Sequence, residues 1–505
     1  MSYMKRVFGP SALALAVSAP AAFADVSAAD VWGQWKTQME NSGQTLTVGS
    51  ESMVGDTLTI SDLKTRMETP EAGFSVSMSS LTFKENGDGT VTIGMPDSYP
   101  MVLDIHPPGE DAGKVNLSVR QTGMSMTASG NPGEISYAYA GQEIAVMLDS
   151  IEVPDAEGVD FAGGLRLAGF AGTYTFGAGD VQPFSSTFEA ASMTIDLDIQ
   201  APEEDGALTF NFKASDIKGT SDGQIPSGID YNDMAAAMAA GFAVSGGLDF
   251  GATTYDFDFK DGYEAMKVAA TMASGGISFD MSPEGMSYNT KSAGLDLTLS
   301  GSEIPLPQIN LKMAESAFGL TMPITKSDAP QNVGLLLKVV DLAVPEDIWG
   351  MIDPAGGLPH DPATIIFDAT GTANWLVDIM APDAEQQMMS GGMPGQLHTL
   401  DLNELELSIA GASVTANGGF TFDNNDLMTW GGMPAPEGAI DVSLMGVNGL
   451  IDKLVGMGLL PQDQAMGGKM MMGMFAKPGD GPDTMTSKIE VKADGSVFAN
   501  GQQLK

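Results

Sequence analysis

Short runs in which apolar and polar residues take turns dominate the chain. Ile195, Leu197 and Ile199 alternate with Asp196 and Asp198. Leu208, Phe210 and Phe212 alternate with Thr209 and Asn211, Phe257 and Phe259 with Asp256 and Asp258, and Leu295, Leu297 and Leu299 with Asp296 and Thr298. A period of two with one polar side predicts antiparallel strands buried on one face. Gly, Asn and Asp clusters such as "KENGDGT" (Lys84–Thr90) punctuate the runs as turns. The pattern predicts a mainly β protein, built from large, curved antiparallel sheets in an elongated molecule with a few short helices.

The helical period is rare. "SAADVWGQWKTQME" puts Val31, Trp32, Trp35 and Met39 on one side, with Ser27 as its cap. "DYNDMAAAMAAGF" from Asp230 predicts a second helix. A helix pair is expected near 448–476: Leu450, Ile451, Leu454 and Val455 share one face, and Pro461 opens the partner, which ends before Pro478-Gly479. "SVTANG" (Ser413–Gly418) recurs as "SVFANG" (Ser496–Gly501), and each Asn-Gly predicts a hairpin turn. A composition shift at Lys326–Gly334 places a soft boundary between β-rich regions 25–329 and 330–505, which could share one sheet.

The start of the chain changes the setting. Lys5 and Arg6 precede an apolar stretch too short to span a bilayer, and Ala22-Phe23-Ala24 fits a cleavage site. Residues 1–24 are read as a signal peptide cut after Ala24, which places the mature protein in the periplasm, with no transmembrane segment. The 505-residue chain has no cysteine, so thiol nucleophiles, disulfides and Cys-based metal sites are excluded. Lys and Arg number 23 against 65 Asp and Glu, and the net charge of −42 repels nucleic acid. An outer-membrane barrel also alternates, but 28 prolines, 7% aromatic residues and a polar Gln-Gln-Leu-Lys end argue against it.

Candidate chemistry is sparse. In "EDIWGMIDPAGGLPHDPATIIFD" (Glu346–Asp368), Glu346 and Asp347 suit a helix start, with Ile348, Trp349 and Ile352 facing inward. Asp353-Pro354 stops that helix, and Ala363 begins a strand. His360 alone lacks a structural task there, so its replacement is expected to change stability little. No H-E-x-x-H, G-x-S-x-G or P-loop pattern occurs. "DNND" (Asp423–Asp426) reads as a turn rather than a calcium loop. The compositional oddity is 35 Met against 22 Phe, densest in "AMGGKMMMGMF", where Met466, Met470 and Met474 line one helix face. That face reads as core packing, as an adaptable apolar-ligand surface or as a soft Cu(I) site.

"VPEDIWGMIDPAGGLPHDPATIIFDATG" (Val344–Gly371), the Leu459-Leu460-Pro461 helix start, "PGDGPDTMTSKIEV" (Pro478–Val491) and "DGSVFANGQQL" (Asp494–Leu504) resemble the exported bacterial family called domain of unknown function 2125. The β-rich texture is also similar to AsmA-like envelope proteins with apolar sheet grooves. The first resemblance implies no assigned activity and no catalytic residues. The sequence therefore leads to an expectation of a binding or scaffold protein, not an enzyme, without a cofactor, holding a lipid or an envelope protein against a sheet. The rival readings are a hydrolase using scattered carboxylates and a Met-rich Cu(I)-binding protein.

Overall fold

The computed structural model describes residues 25–505 apart from 42, 70, 107–111, 153–157, 202–204, 230, 232 and 390–393. The expected signal peptide and the start of the second helix at Asp230 lie outside the described residues. Strand takes up 63% of the chain, far above the usual 20–25%, and helix 12%. The 27 strands among the described residues belong to one sheet in which every ladder is antiparallel, and most pairs join neighbours in sequence. The ladder of Ile309–Met322 with Gln331–Leu342 carries this sheet across Lys326–Gly334.

At several ranks two short strands stand end to end beside a single long one. Ala243–Phe250 and Thr253–Asp261 both pair with the 21-residue strand Gly206–Pro226. Glu264–Met272 and Ser274–Ser282 both pair with Gly285–Gly301. The first edge holds Thr45–Thr47 and Ser50–Val54, the last Gln502–Gln503, and no ladder among the described residues joins them. About twenty ranks at about 4.8 Å give a sheet on the order of 100 Å across its strands.

A crease runs along this length. Asp62, Gly169, Asp216, Gly294 and Asp341 lie inside strands yet have φ of 52°, 58°, 51°, 66° and 53°. Gly and Asp are suited to this left-handed region, which other side chains resist. Pairing steps over each: Ala168 faces Ser192 and Phe170 faces Ala190, with nothing between. The gaps between end-to-end strands fall on the same line. Gly251 donates to the Ser215 carbonyl at 2.7 Å, and Ala273 donates to the Ala293 carbonyl at 2.9 Å. Such irregularities bend a strand and sharpen its twist.

The crease also resets the side-chain alternation. Leu165 and Leu167 are odd-numbered, whereas Phe170, Tyr174 and Phe176 beyond the kink are even-numbered. On the next strand Phe184, Phe188 and Ala190 are even-numbered and Met193, Ile195 and Leu197 odd. The shift keeps both flanks' apolar residues on one face. Buried Phe170, Ala190, Ala214 and Ile217 pack there with Leu167, Met193, Phe188 and Phe212 from either side of the bend. The sheet is thus folded lengthwise into a trough.

A helix fills its N-terminal end, and the others follow strand ends. α1 (Ala28–Asn41) begins at a reciprocal cap, in which the Asp30 N–H donates to Ser27 Oγ and the Ser27 N–H to Asp30 Oδ2. Its Val31 and Trp32 bury against Ile60, Leu81, Phe83 and Tyr137, filling the trough's N-terminal end. The expected helix from Asp230 is the shorter α2 (Met234–Ala239), capped by Asp233. α3 (Glu346–Ile352) starts just past the crease residue Asp341, and α4 spans Ala384–Met389. α5 (Val447–Gly456) and α6 (Gln462–Phe475) form the expected pair, and Leu450 and Leu454 of α5 pack with Trp349, Leu358 and Ala410.

One of the two expected Asn-Gly turns is corrected. Asn500 and Gly501 have φ of 51° and 84° and turn the chain as expected. Asn417 and Gly418 instead lie within the strand Ala412–Asp423. A Cβ on Gly418 would sit 2.2 Å from the Ala439 carbonyl oxygen, so this glycine permits close backbone approach. The same sequence is a turn in one place and a strand in the other because neighbouring strands decide it.

The crease makes a stability prediction. Gly169→Ile should cost about 1–2 kcal/mol, since a β-branched residue must enter the left-handed region. Its Cβ would also press on that of Ala191 at 3.0 Å. A urea melt should show this loss and should show Asp62→Gly with a nearly unchanged midpoint.

Candidate functional site

Directly paired residues share a face, so the register maps the trough's lining. One row runs Phe188–Gly219–Leu248–Ile277–Thr290–Phe318 and continues through Leu337–Phe367–Leu405–Ala416–Val442. Across the crease a second runs Leu165–Ile195–Phe212–Tyr255–Ala270–Leu297–Leu311. Neither row holds a single Asp, Glu, Lys or Arg. The charges stand on the opposite face, where Arg166 meets Asp196 at 2.8 Å, Lys291 meets Asp249 at 2.8 Å and Lys312 meets Asp296 at 2.7 Å. Exposed pairs of this kind stabilise little, but they keep that face in water.

The apolar rows are not sealed. Ile277, Leu337 and Ile365 are 40%, 43% and 48% exposed, and Leu248 and Leu407 are exposed beside them. An exposed apolar stretch continuous over many strands marks an interaction surface. Glycines deepen it. The Phe250 ring lies where a Cβ on Gly275 would be, 2.4 Å away, and Phe170 and Phe184 lie similarly over Gly141 and Gly223. Rings laid flat across the neighbouring strand leave room above them. At one flank a cavity of about 320 Å³ opens between Met322, Val333, Trp375 and Leu397. A cavity of about 570 Å³ is a different feature: its polar lining of Asn403, Thr415, Asn417, Asp441 and Lys488 comes from the outer face.

The methionines singled out in the sequence lie elsewhere. Met466, Met470 and Met474 are 65%, 66% and 59% exposed on α6, with Met471 beside them. Core packing therefore does not explain them. α6 packs chiefly against α5, where Lys469 pairs with Asp452 at 2.6 Å. Its last carbonyl, on Phe475, accepts from Ser487 and Asn500. Those bonds tie the end of α6 to the last strands of the sheet.

Two readings of Glu346–Asp368 are corrected. Ile352 is exposed rather than inward, because α3 turns only the Trp349 side to the core. His360 does have a structural task. Its ring stacks on Trp349 with centroids 4.6 Å apart and planes 3° from parallel. Its Nδ1 is 2.9 Å from Glu346 Oε2, and its Nε2 is 3.9 Å from buried Asp353. Asp353 in turn accepts the Leu358 N–H at 2.6 Å. Backbone N–H groups of Leu358 and Gly357 hold its carboxyl below the ordinary range, with the nearby imidazole adding to them. The sequence signal for this latch was the His-Asp spacing around three prolines; no periodicity reveals a ring stacked across a turn. Among the described residues no group of three or more His, Asp or Glu could hold a metal ion.

Known proteins offer a match to the second half of the chain. The profile of a family described as "Uncharacterized protein conserved in bacteria" (DUF2125) matches residues 251–503, half of the chain, and the chain belongs to that family. That match bears out the first resemblance read from the sequence and leaves the AsmA-like one an expectation. No curated protein matches. A crystal structure of the ferric citrate transporter FecA in the unliganded form aligns at 9% identity over 91% of this chain and 76% of that chain. Its TM-score of 0.17 is too low to indicate a shared fold.

Two outcomes are expected in the latch. Trp349→Ala should cost about 3–5 kcal/mol as a buried ring is lost. His360→Ala should cost about 1 kcal/mol, the scale of an aromatic stack, and so more than an exposed site would. Denaturant melts check the pair. The Asp353 contribution has a defined sign: its folded pKa is depressed, so the stability is present above the unfolded value of about 3.9 and is lost as pH falls through the folded value. Asp353→Asn should flatten that acid limb of a pH–stability curve.

Proposed function

We propose that this is an exported, periplasmic binding protein that shields an apolar ligand, the acyl chains of a lipid, in the trough of its sheet. The observation that carries the reading is the uncharged row from Phe188 to Val442, with Ile277 and Leu337 left open to solvent in a chain bearing 65 acidic residues. Exposing that face to water has no structural benefit, and a ligand covering it removes the cost. The positive, then apolar start of the chain supports export.

The test is purification from the native envelope under gentle conditions, followed by native mass spectrometry and solvent extraction. A reproducible lipid mass is expected, lost in the double variant Ile277→Asp/Leu337→Asp and kept in the outer-face variant Ser278→Asp. A clean unliganded mass, together with no uptake of a zwitterionic lipid with a fluorescent acyl chain, would overturn the proposal.

A further inference from the structure

We infer that the trough selects its lipid by headgroup charge: it takes a lipid side-on by its chains and favours a headgroup that carries an ammonium and no net negative charge. This rests on the reading of the trough as an acyl-chain site and adds what lies at its rims. The lining itself offers no charged partner, so a headgroup has to stay at the rim while the chains lie inside.

Both rims are acidic. Along one flank the strands end in hairpins bearing exposed Asp205, Asp261, Glu264 and Glu303. Asp261 and Glu264 sit directly opposite each other, two like charges at one turn. The nearby cation Lys260 is already engaged, 2.7 Å from Asp205. Along the other flank the turns carry exposed Glu134, Asp180, Glu284 and Asp328, with the cations Lys84 and Lys326 fewer than these acids. Like charges this dense destabilise one another unless a cation sits between them. An ammonium on the headgroup supplies that cation. A net-anionic headgroup meets repulsion both from the rim and from the chain's overall charge of −42.

The experiment uses the full mature chain and two acyl-labelled probes with identical chains, phosphatidylethanolamine and phosphatidylglycerol. Both are offered as short-chain monomers below their micellar concentration, without a carrier lipid and in the presence of a chelator, so that divalent cations cannot bridge anion to anion. At 0.01 M salt, where the screening length is about 30 Å, uptake of phosphatidylethanolamine should be favoured on the order of tenfold. At 1 M salt, with screening at about 3 Å, the gap should close. The triple variant Asp205→Asn/Asp261→Asn/Glu264→Gln should narrow the gap at low salt while uptake itself persists. Equal uptake at both salts, or a preference for phosphatidylglycerol, would overturn the charge selection and leave the acyl-chain site standing. No uptake of either probe would overturn the acyl-chain site as well.

Discussion

Side chains on a strand alternate between two faces, so an apolar face survives a sharp bend only if the alternation is reset at the bend. Everything else in this molecule depends on that constraint. Gly169, Asp216 and Gly294 each spend one residue in the left-handed region, and the apolar positions change parity across them. Without the reset, Phe170 would point to the side where Arg166 and Asp196 meet, away from Leu167 and Met193. With it, a sheet about twenty strands wide keeps one uncharged face through a lengthwise fold. The residues chosen are those for which left-handed backbone is least costly.

The fold leaves an unusual distribution of burial. A protein of this length can close a thick core, yet its fully buried clusters are small and lie at α1, along the crease and under α3 and α5. Between them the lining is half-exposed, and among the described residues no second layer covers it. Stability therefore comes from long antiparallel ladders and from these clusters, while the lining between them stays open. The outer face, studded with cross-strand pairs such as Lys291 with Asp249, is as charged as the lining is apolar.

Much of this was legible in the sequence, for physical reasons that differ by element. The strands around Ile195, Phe210, Phe257 and Leu297 were plain because a half-buried strand writes its faces directly into the order of residues. α1, α5 and α6 were plain from their spacing and caps. The trough was written there too, in a phase slip at Gly169 or Gly294 that reads as noise unless neighbouring strands are known to slip at the same rank. Asn417-Gly418 misleads because close backbone approach and a tight turn ask for the same residue. The methionines of α6 stand out by composition, whereas the candidate surface is made of ordinary Leu, Ile and Phe whose exposure no sequence pattern shows.

The absence of cysteine makes the central claim directly measurable. A single thiol introduced by Ile277→Cys on the inner face, or by Ser278→Cys on the outer face, carries a fluorophore at adjacent positions of one strand. A phosphatidylethanolamine brominated along its acyl chains is then added as a contact quencher. The trough account predicts saturable quenching at position 277 and little at position 278. Equal quenching at both positions, or none at either, would contradict it.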